Sequence, residues 1–242
     1  MKRFIIVVIA LLMAVASVFA RTYALTTAVS NYQRDGLSTL SQSTKDAKAM
    51  ASLLHAKVQD VSLVTGKNAT AAHIKASLMK MAKAAGPNDQ IIFFYSGHGG
   101  KNVICLYDKN ITYYEILGIL TQSKCKNILV IVDACESGSL LNAVNQLKSK
   151  KLWNGNVASI VSSRAQENSI ENPIVGAGFL AQGILKGMRG KADANSDRKL
   201  TIKELYNYAF NDVTTRASRI DRGQHPQLIA PAAMQSNVIW TW

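Results

Sequence analysis

Ile91-Ile92-Phe93-Phe94-Tyr95-Ser96-Gly97-His98-Gly99-Gly100 and Ile128-Leu129-Val130-Ile131-Val132-Asp133-Ala134-Cys135-Glu136-Ser137-Gly138 are the stretches around which the chain is organised. Each opens on an apolar run too short for a helix and rich in β-branched or aromatic side chains, and each closes in small and polar residues. This is the pattern of a buried strand running into a loop. In an open α/β sheet, binding and chemistry gather at the carboxyl ends of parallel strands. As parallel neighbours, the two strands would deliver His98 and Cys135 side by side, a thiol nucleophile beside an imidazole base. Taken singly, Cys135 reads equally well as a small buried hydrophobe and His98 as an ordinary loop residue. The same strand-to-glycine pattern at both residues favours the pair.

Outward from these strands the chain alternates between strands and helices. Residues 22–29 read as a strand and 45–54 as a helix, with Ala47, Met50, Ala51 and Leu54 on one face. Residues 61–64 form a short strand ended by Thr65-Gly66-Lys67-Asn68, and Thr70 caps a helix that runs to about Ala85 and stops at Gly86-Pro87. Residues 102–108 read as a further short strand, and 113–120 as a helix capped by Thr112. Residues 142–156 are polar and lysine-rich, above all Leu147-Lys148-Ser149-Lys150-Lys151, and read as an exposed connection. A strand at 157–162 and helices at 178–188 and 202–210 follow, and Val238-Ile239-Trp240-Thr241-Trp242 is either an edge strand or a packed tail. The expected fold is α/β, with a central, mostly parallel sheet of about six strands and helices on both faces.

Composition sets outer bounds. A chain of 242 residues that is 48% apolar can build one substantial domain with a real core. The net charge of +13 would suit nucleic acid, an anionic surface or acidic partners. The lysines are scattered, however, without zinc-finger spacing, an aromatic RNA-binding signature or a basic recognition helix, which argues against nucleic acid. Residues 1–20 carry the pattern of a secretory signal peptide: Lys2 and Arg3, an apolar run over 4–15, then Val18-Phe19-Ala20 at the cut. Cleavage after Ala20 would send a chain beginning at Arg21 to a secreted or periplasmic location. An uncleaved anchor is the other reading, but the apolar run is short for a full span. Nothing later is long and apolar enough to cross a membrane. The three cysteines, Cys105, Cys125 and Cys135, are an odd number, so at least one is free or pairs between chains. Cys105 and Cys125 either bridge or stay reduced, and no Cys/His spacing suits zinc.

A second motif lies near the carboxyl end. Asp193, Asn195, Asp197, Lys199, Thr201 and Glu204 stand at positions one, three, five, seven, nine and twelve of a calcium loop. The sixth position is Arg198, where that loop wants glycine for its turn. The stretch is therefore either a calcium loop or a polar turn that caps the next helix.

Phe94-Tyr95-Ser96-Gly97-His98-Gly99-Gly100 followed by Val132-Asp133-Ala134-Cys135-Glu136-Ser137-Gly138 resembles the caspase-like cysteine peptidases, in particular the metacaspase and paracaspase branch found in bacteria. The resemblance extends over about residues 23–231, through Asn31-Tyr32, Asp46-Ala47, Ser162-Ser163-Arg164-Ala165, Glu171, Gly178-Phe179 and Gln224-His225-Pro226-Gln227. It implies a three-layer α/β/α sandwich with a larger part at about 22–147, an exposed link at about 148–156 and a smaller part at about 157–242. Some relatives are cleaved at such a link, so self-processing near Lys148–Lys151 is left open. The resemblance further implies a His98/Cys135 dyad that needs no cofactor, and an oxyanion hole of the Gly99 and Cys135 main-chain N–H groups. Asp133, at the strand end two residues before Cys135, falls on the same face as the nucleophile. In the relatives it resembles, that aspartate and the serine matching Ser96 line a pocket for Arg or Lys. The expected activity is hydrolysis of polypeptides after Arg or Lys, with calcium as the one ion left open. The alternative is a catalytically silent binding or scaffold module. His225 reads as a loop residue and not as a second base.

Overall fold

The computed structural model describes residues 20–34, 36–172 and 177–242. The expected leader at 1–20 lies, apart from Ala20, outside the described residues. The first elements are β1 (Thr22–Ala28), α1 (Ser43–His55), β2 (Asp60–Thr65), α2 (Ala71–Ala84) and β3 (Gln90–Ser96). Next come β4 (Gly99–Gly100), β5 (Val103–Cys105), β6 (Asn110–Thr112), α3 (Tyr113–Leu120), β7 (Asn127–Asp133), α4 (Leu140–Ser149) and β8 (Val157–Val161). The last third holds β9 (Glu171–Asn172), β10 (Ala177–Gly178), α5 (Phe179–Lys186), β11 (Lys199–Thr201), α6 (Ile202–Ser218), β12 (Gln227–Ile229) and β13 (Val238–Thr241).

Six strands form one sheet in the order β12-β8-β7-β3-β1-β2. Every neighbouring pair is parallel except β12 with β8. This is the expected α/β sandwich, and the central strands explain it. All seven residues of β3 are buried, as a strand covered on both faces requires. Its side chains alternate between the two layers. Ile91, Phe93 and Tyr95 pack with Leu78, Leu117 and Val144 of α2, α3 and α4. Ile92 and Phe94 pack with Met50, Ile184 and Leu205 of α1, α5 and α6. Each such side chain contributes about 1.5–3 kcal/mol of burial. Helix starts are capped where the sequence places Ser/Thr signals: Thr70 accepts the His73 N–H, and Thr112 with Glu115 forms a reciprocal capping box.

Three local expectations change. Residues 142–149 belong to helix α4 and not to an exposed connection; Leu140, Ala143, Val144 and Leu147 form a buried stripe between the outward Asn142, Asn145, Gln146 and Lys148. Helix α6 continues past Phe210 to Ser218, because Val213 and Ala217 extend its buried face. The strand expected over 102–108 is β5, the middle of a separate three-stranded sheet with β4 and β6. The aromatic carboxyl end resolves as β13, antiparallel to β11. Among the described residues, no helix is long and apolar enough to cross a membrane.

The sheet order turns around at β1: β2 lies on one side of it, while β3, β7 and β8 follow on the other. The carboxyl ends of the parallel strands β1, β3 and β7 lie side by side, the usual place for a site in such a sheet.

Candidate active site

β3 and β7 are direct parallel neighbours, with Ser96 opposite Asp133. His98 and Cys135 each follow that matched pair by two residues, and both line one cleft of about 320 Å³. Ser96, Asp133, Asn168, Ser169 and the exposed Arg222 line it with them. A larger groove of about 660 Å³ runs along β12, but its lining holds neither a cysteine nor a carboxylate. The smaller cleft is the one equipped for nucleophilic chemistry.

The imidazole is held by a main-chain oxygen from the loop after β1. His98 Nε2 lies 2.8 Å from the carbonyl oxygen of Ser38. A carbonyl only accepts, so Nε2 carries the proton, and in the neutral ring Nδ1 keeps its lone pair. The Tyr32 ring packs on the imidazole at 5.1 Å between centroids, and its hydroxyl accepts the His98 N–H at 2.7 Å. Tyr95 donates to the His98 carbonyl oxygen at 2.8 Å. The Ser38 carbonyl, a backbone atom, had no signal in sequence; Asn31-Tyr32 stands in the family resemblance, but nothing local places its ring on His98, 66 residues away.

Cys135 is half-buried at the end of β7. Burial pushes its thiol pKa up, and the negative charges of Asp133 and Glu136 push the same way; the Ser169 main-chain N–H opposes them. The resting group is thus a thiol, and its attack needs a base. The preceding peptide is fixed on both sides by Ser162, whose hydroxyl accepts the Ala134 N–H at 3.0 Å and donates to the Ala134 carbonyl oxygen at 2.9 Å. Buried Ser137 joins this hydroxyl cluster. Gly99 sits against the same peptide: a Cβ there would lie 2.8 Å from both the Ala134 Cβ and the Cys135 carbonyl oxygen. Only glycine lets the His98 and Cys135 loops approach this closely.

Asp133 is 5% exposed at the cleft's floor. Its Oδ1 accepts from the Ser169 hydroxyl, and its Oδ2 accepts the Ala181 N–H at 2.9 Å. Asp46 is a second buried carboxylate beside it. Its Oδ2 accepts from the Ser96 hydroxyl and from the Gly178 N–H, each at 3.1 Å. Both acids face the first turn of α5, whose N–H groups and dipole favour negative charge. Gly178 lies between them, and a Cβ there would meet Asp133 Oδ2 at 2.4 Å. Ser96 and Asp133 thus come together as the sequence implies, while the place of Asp46 depends on α1 crossing the sheet.

The remaining residues lie apart. Asp193 Oδ2 accepts the Arg198 N–H at 3.0 Å, Asn195 Oδ1 the Asp197 N–H at 3.0 Å, and Asp197 Oδ1 the Lys199 N–H at 2.8 Å. Thr201 and Glu204 form the capping box of α6, with Lys199 in β11. Arg198 takes the left-handed turn with φ 61° despite its side chain. Among the described residues, no group of three or more His, Cys, Asp or Glu gathers to hold a metal. Cys105 and Cys125 are buried and free, so the bridge left open between them is not formed. His225 is a loop residue, 2.7 Å from Glu167.

A caspase-domain family model matches residues 21–234. A vacuolar-processing enzyme of Citrus sinensis is 32% identical over 91 residues, and a legumain of Canavalia ensiformis is 31% identical over 90. Each match takes in 35% of this chain and only 17% and 18% of the respective relatives, so the shared stretch spans less than a fifth of their length. The crystal structure of a Geobacter sulfurreducens protein superposes with a TM-score of 0.67, at 17% identity, over 91% of this chain and 98% of that one, a likeness of fold. The chain belongs to the caspase-domain family.

Proposed function

We propose that this chain is a metacaspase-like cysteine endopeptidase that cuts polypeptides after Arg or Lys. In this reading the Cys135 thiol passes its proton to His98 Nδ1 as sulfur bonds to the scissile carbonyl carbon. The oxygen of the tetrahedral intermediate takes hydrogen bonds from the Gly99 and Cys135 main-chain N–H groups. Its collapse breaks the C–N bond, and the imidazolium gives its proton to the leaving amine. Water, deprotonated by His98, then hydrolyses the thioester and restores the thiol. None of these steps needs a cofactor. Asp133, with Ser96 and Asp46 beside it, receives the basic side chain before the scissile bond through charge-assisted hydrogen bonds. The leader pattern makes the enzyme an exported one, secreted or periplasmic.

One observation carries the reading: the β3–β7 register, which sets Ser96 opposite Asp133 and so aims His98 and Cys135 into one cleft above a buried carboxylate. The test is a peptide-library cleavage assay on the wild type and Cys135→Ala, with an arginyl electrophile as a label. Cleavage after Arg and Lys that vanishes in the variant, with label on Cys135, is the expected result. A folded wild type that neither cuts nor takes the label would make the chain a catalytically silent module.

A further inference from the structure

We propose that Gln224 and His225 are positioning residues: together they clamp the loop 164–170 against the cleft and so hold Ser169, and through it the Asp133 carboxylate, in place for substrate. The proposal rests on the reading of Asp133 as the receptor for a basic side chain. Neither residue lines the cleft.

The loop leaves the end of β8 and faces the cleft with Asn168 and Ser169. Ser169 is its working residue, because its hydroxyl donates to Asp133 Oδ1 and its N–H reaches the Cys135 thiol. No helix or strand covers residues 164–170. Such a segment keeps one conformation only if outside partners offset its entropy. The Phe179 N–H on the Ile170 carbonyl oxygen at 3.1 Å is one such partner, and most of the side-chain partners come from a single dipeptide. Gln224, fully buried, accepts the Ile170 N–H at 2.9 Å on Oε1. Its Nε2 donates to the Ser162 carbonyl oxygen at 3.0 Å and to the Ser169 hydroxyl at 3.4 Å. One side chain thereby ties the far end of the loop to its root.

His225 holds the middle. Its Nδ1 lies 2.7 Å from Glu167 Oε1, and its main-chain N–H donates to Oε2 at 2.9 Å. A carboxylate only accepts, so Nδ1 carries a proton here. Glu167 Oε2 also accepts the Arg164 N–H at 3.1 Å. Burial pushes the Glu167 carboxyl up, but the hydrogen bonds from His225 and Arg164 outweigh it and hold the pKa below the usual range. The Glu167 carbonyl oxygen accepts the Glu136 N–H at 2.8 Å, so the clamped loop also pins the residue after the nucleophile. The dipeptide is rigid in turn, because Pro226 follows it and leads into β12, paired with β8.

This chain of contacts ends on one oxygen of Asp133. The other oxygen is held independently by the Ala181 N–H. A loosened loop should therefore blur the carboxylate's orientation without unseating it. Two-point recognition of a guanidinium suffers more from that than attraction of an ammonium.

The test uses the full mature chain as wild type, His225→Ala, His225→Asn and Gln224→Met, with two readouts. Hydrogen exchange over 164–170 needs no substrate; Arg and Lys reporter peptides give KM, kcat and their selectivity. His225→Ala is expected to speed exchange about tenfold and to raise KM for the Arg reporter by a similar factor, with a smaller change in kcat and a narrowed Arg-over-Lys ratio. His225→Asn should restore both readouts, since its amide nitrogen can reach Glu167. Gln224→Met should act in the same direction as His225→Ala. Unchanged exchange in folded His225→Ala, or faster exchange with KM and the Arg-over-Lys ratio unmoved, overturns the proposal. A wild type that cuts neither reporter overturns the pocket reading beneath it, and the exchange readout tells that outcome from failure of the clamp.

Discussion

Asp133→Asn isolates the charge at the cleft's floor from its shape. Asn has nearly the same volume and can keep its oxygen on the Ala181 N–H. Its amide then turns toward Ser169, whose hydroxyl switches from donor to acceptor. The variant should therefore fold, and its near-UV circular dichroism should match the wild type. A charge pair at about 4 Å is worth roughly 4 kcal/mol at an effective dielectric near 20. Asp133 is only 5% exposed, so bulk water screens it little, although desolvating the incoming cation takes back part of the gain. A net loss of about 3 kcal/mol corresponds to roughly 10²-fold in kcat/KM for Arg and Lys peptides. The assay is steady-state cleavage of Arg, Lys, Asp and neutral reporters, each at matched folded concentration. Labelling of Cys135 by a small uncharged alkylating agent should not weaken, because the thiol and His98 are intact. A folded variant that cuts Arg peptides at the wild-type rate, or a wild type that prefers Asp peptides, would refute the pocket. The dyad could survive either result.

Three further outcomes are open to direct measurement. The Cys135 thiol pKa is raised, by burial first and then by Asp133 and Glu136, so the alkylation rate should keep climbing past the pH at which a free cysteine's rate levels off; Asp133→Asn should move the profile to lower pH, and a wild-type rate already level at neutral pH would show a thiolate paired beforehand. Calcium binding at 193–204, if it occurs, should be saturable by calorimetry and weaken strongly in Asp193→Ala and Glu204→Ala; unchanged heats in both variants would leave those residues the hydrogen-bonding and capping roles described above. Mass spectrometry of the mature protein from its native host should read Arg21 as the first residue, and a chain retaining residues 1–20 would contradict a cleaved leader.

The apolar runs at 91–95 and 128–132 determined the two central strands without help from the rest of the chain, because a strand buried on both faces must be apolar throughout. Local signals also placed the starts of α2 and α3, since Thr70 and Thr112 act on N–H groups within three residues of themselves. The pattern at α4 failed for a physical reason: four buried side chains suffice to dock a helix, while its outward Asn142, Asn145, Gln146 and Lys148, with Lys150 and Lys151 just beyond its end, give the stretch a polar composition. Adjacency of His98 and Cys135 followed from assuming parallel neighbours, and only the strand order made that assumption a fact. The resemblance marked Asp46, Gln224 and His225 in the sequence, but not what they touch in supporting the site. The Ser38 carbonyl on His98, Asp46 beside Asp133, and Gln224 and His225 behind the loop act over separations of 54–60 residues or more, or through main-chain atoms common to every residue type. Their proximity comes from the turn-around of the sheet at β1 and from β12 closing its far edge. Such contacts are a property of the packed layers, and no local pattern of side chains encodes them.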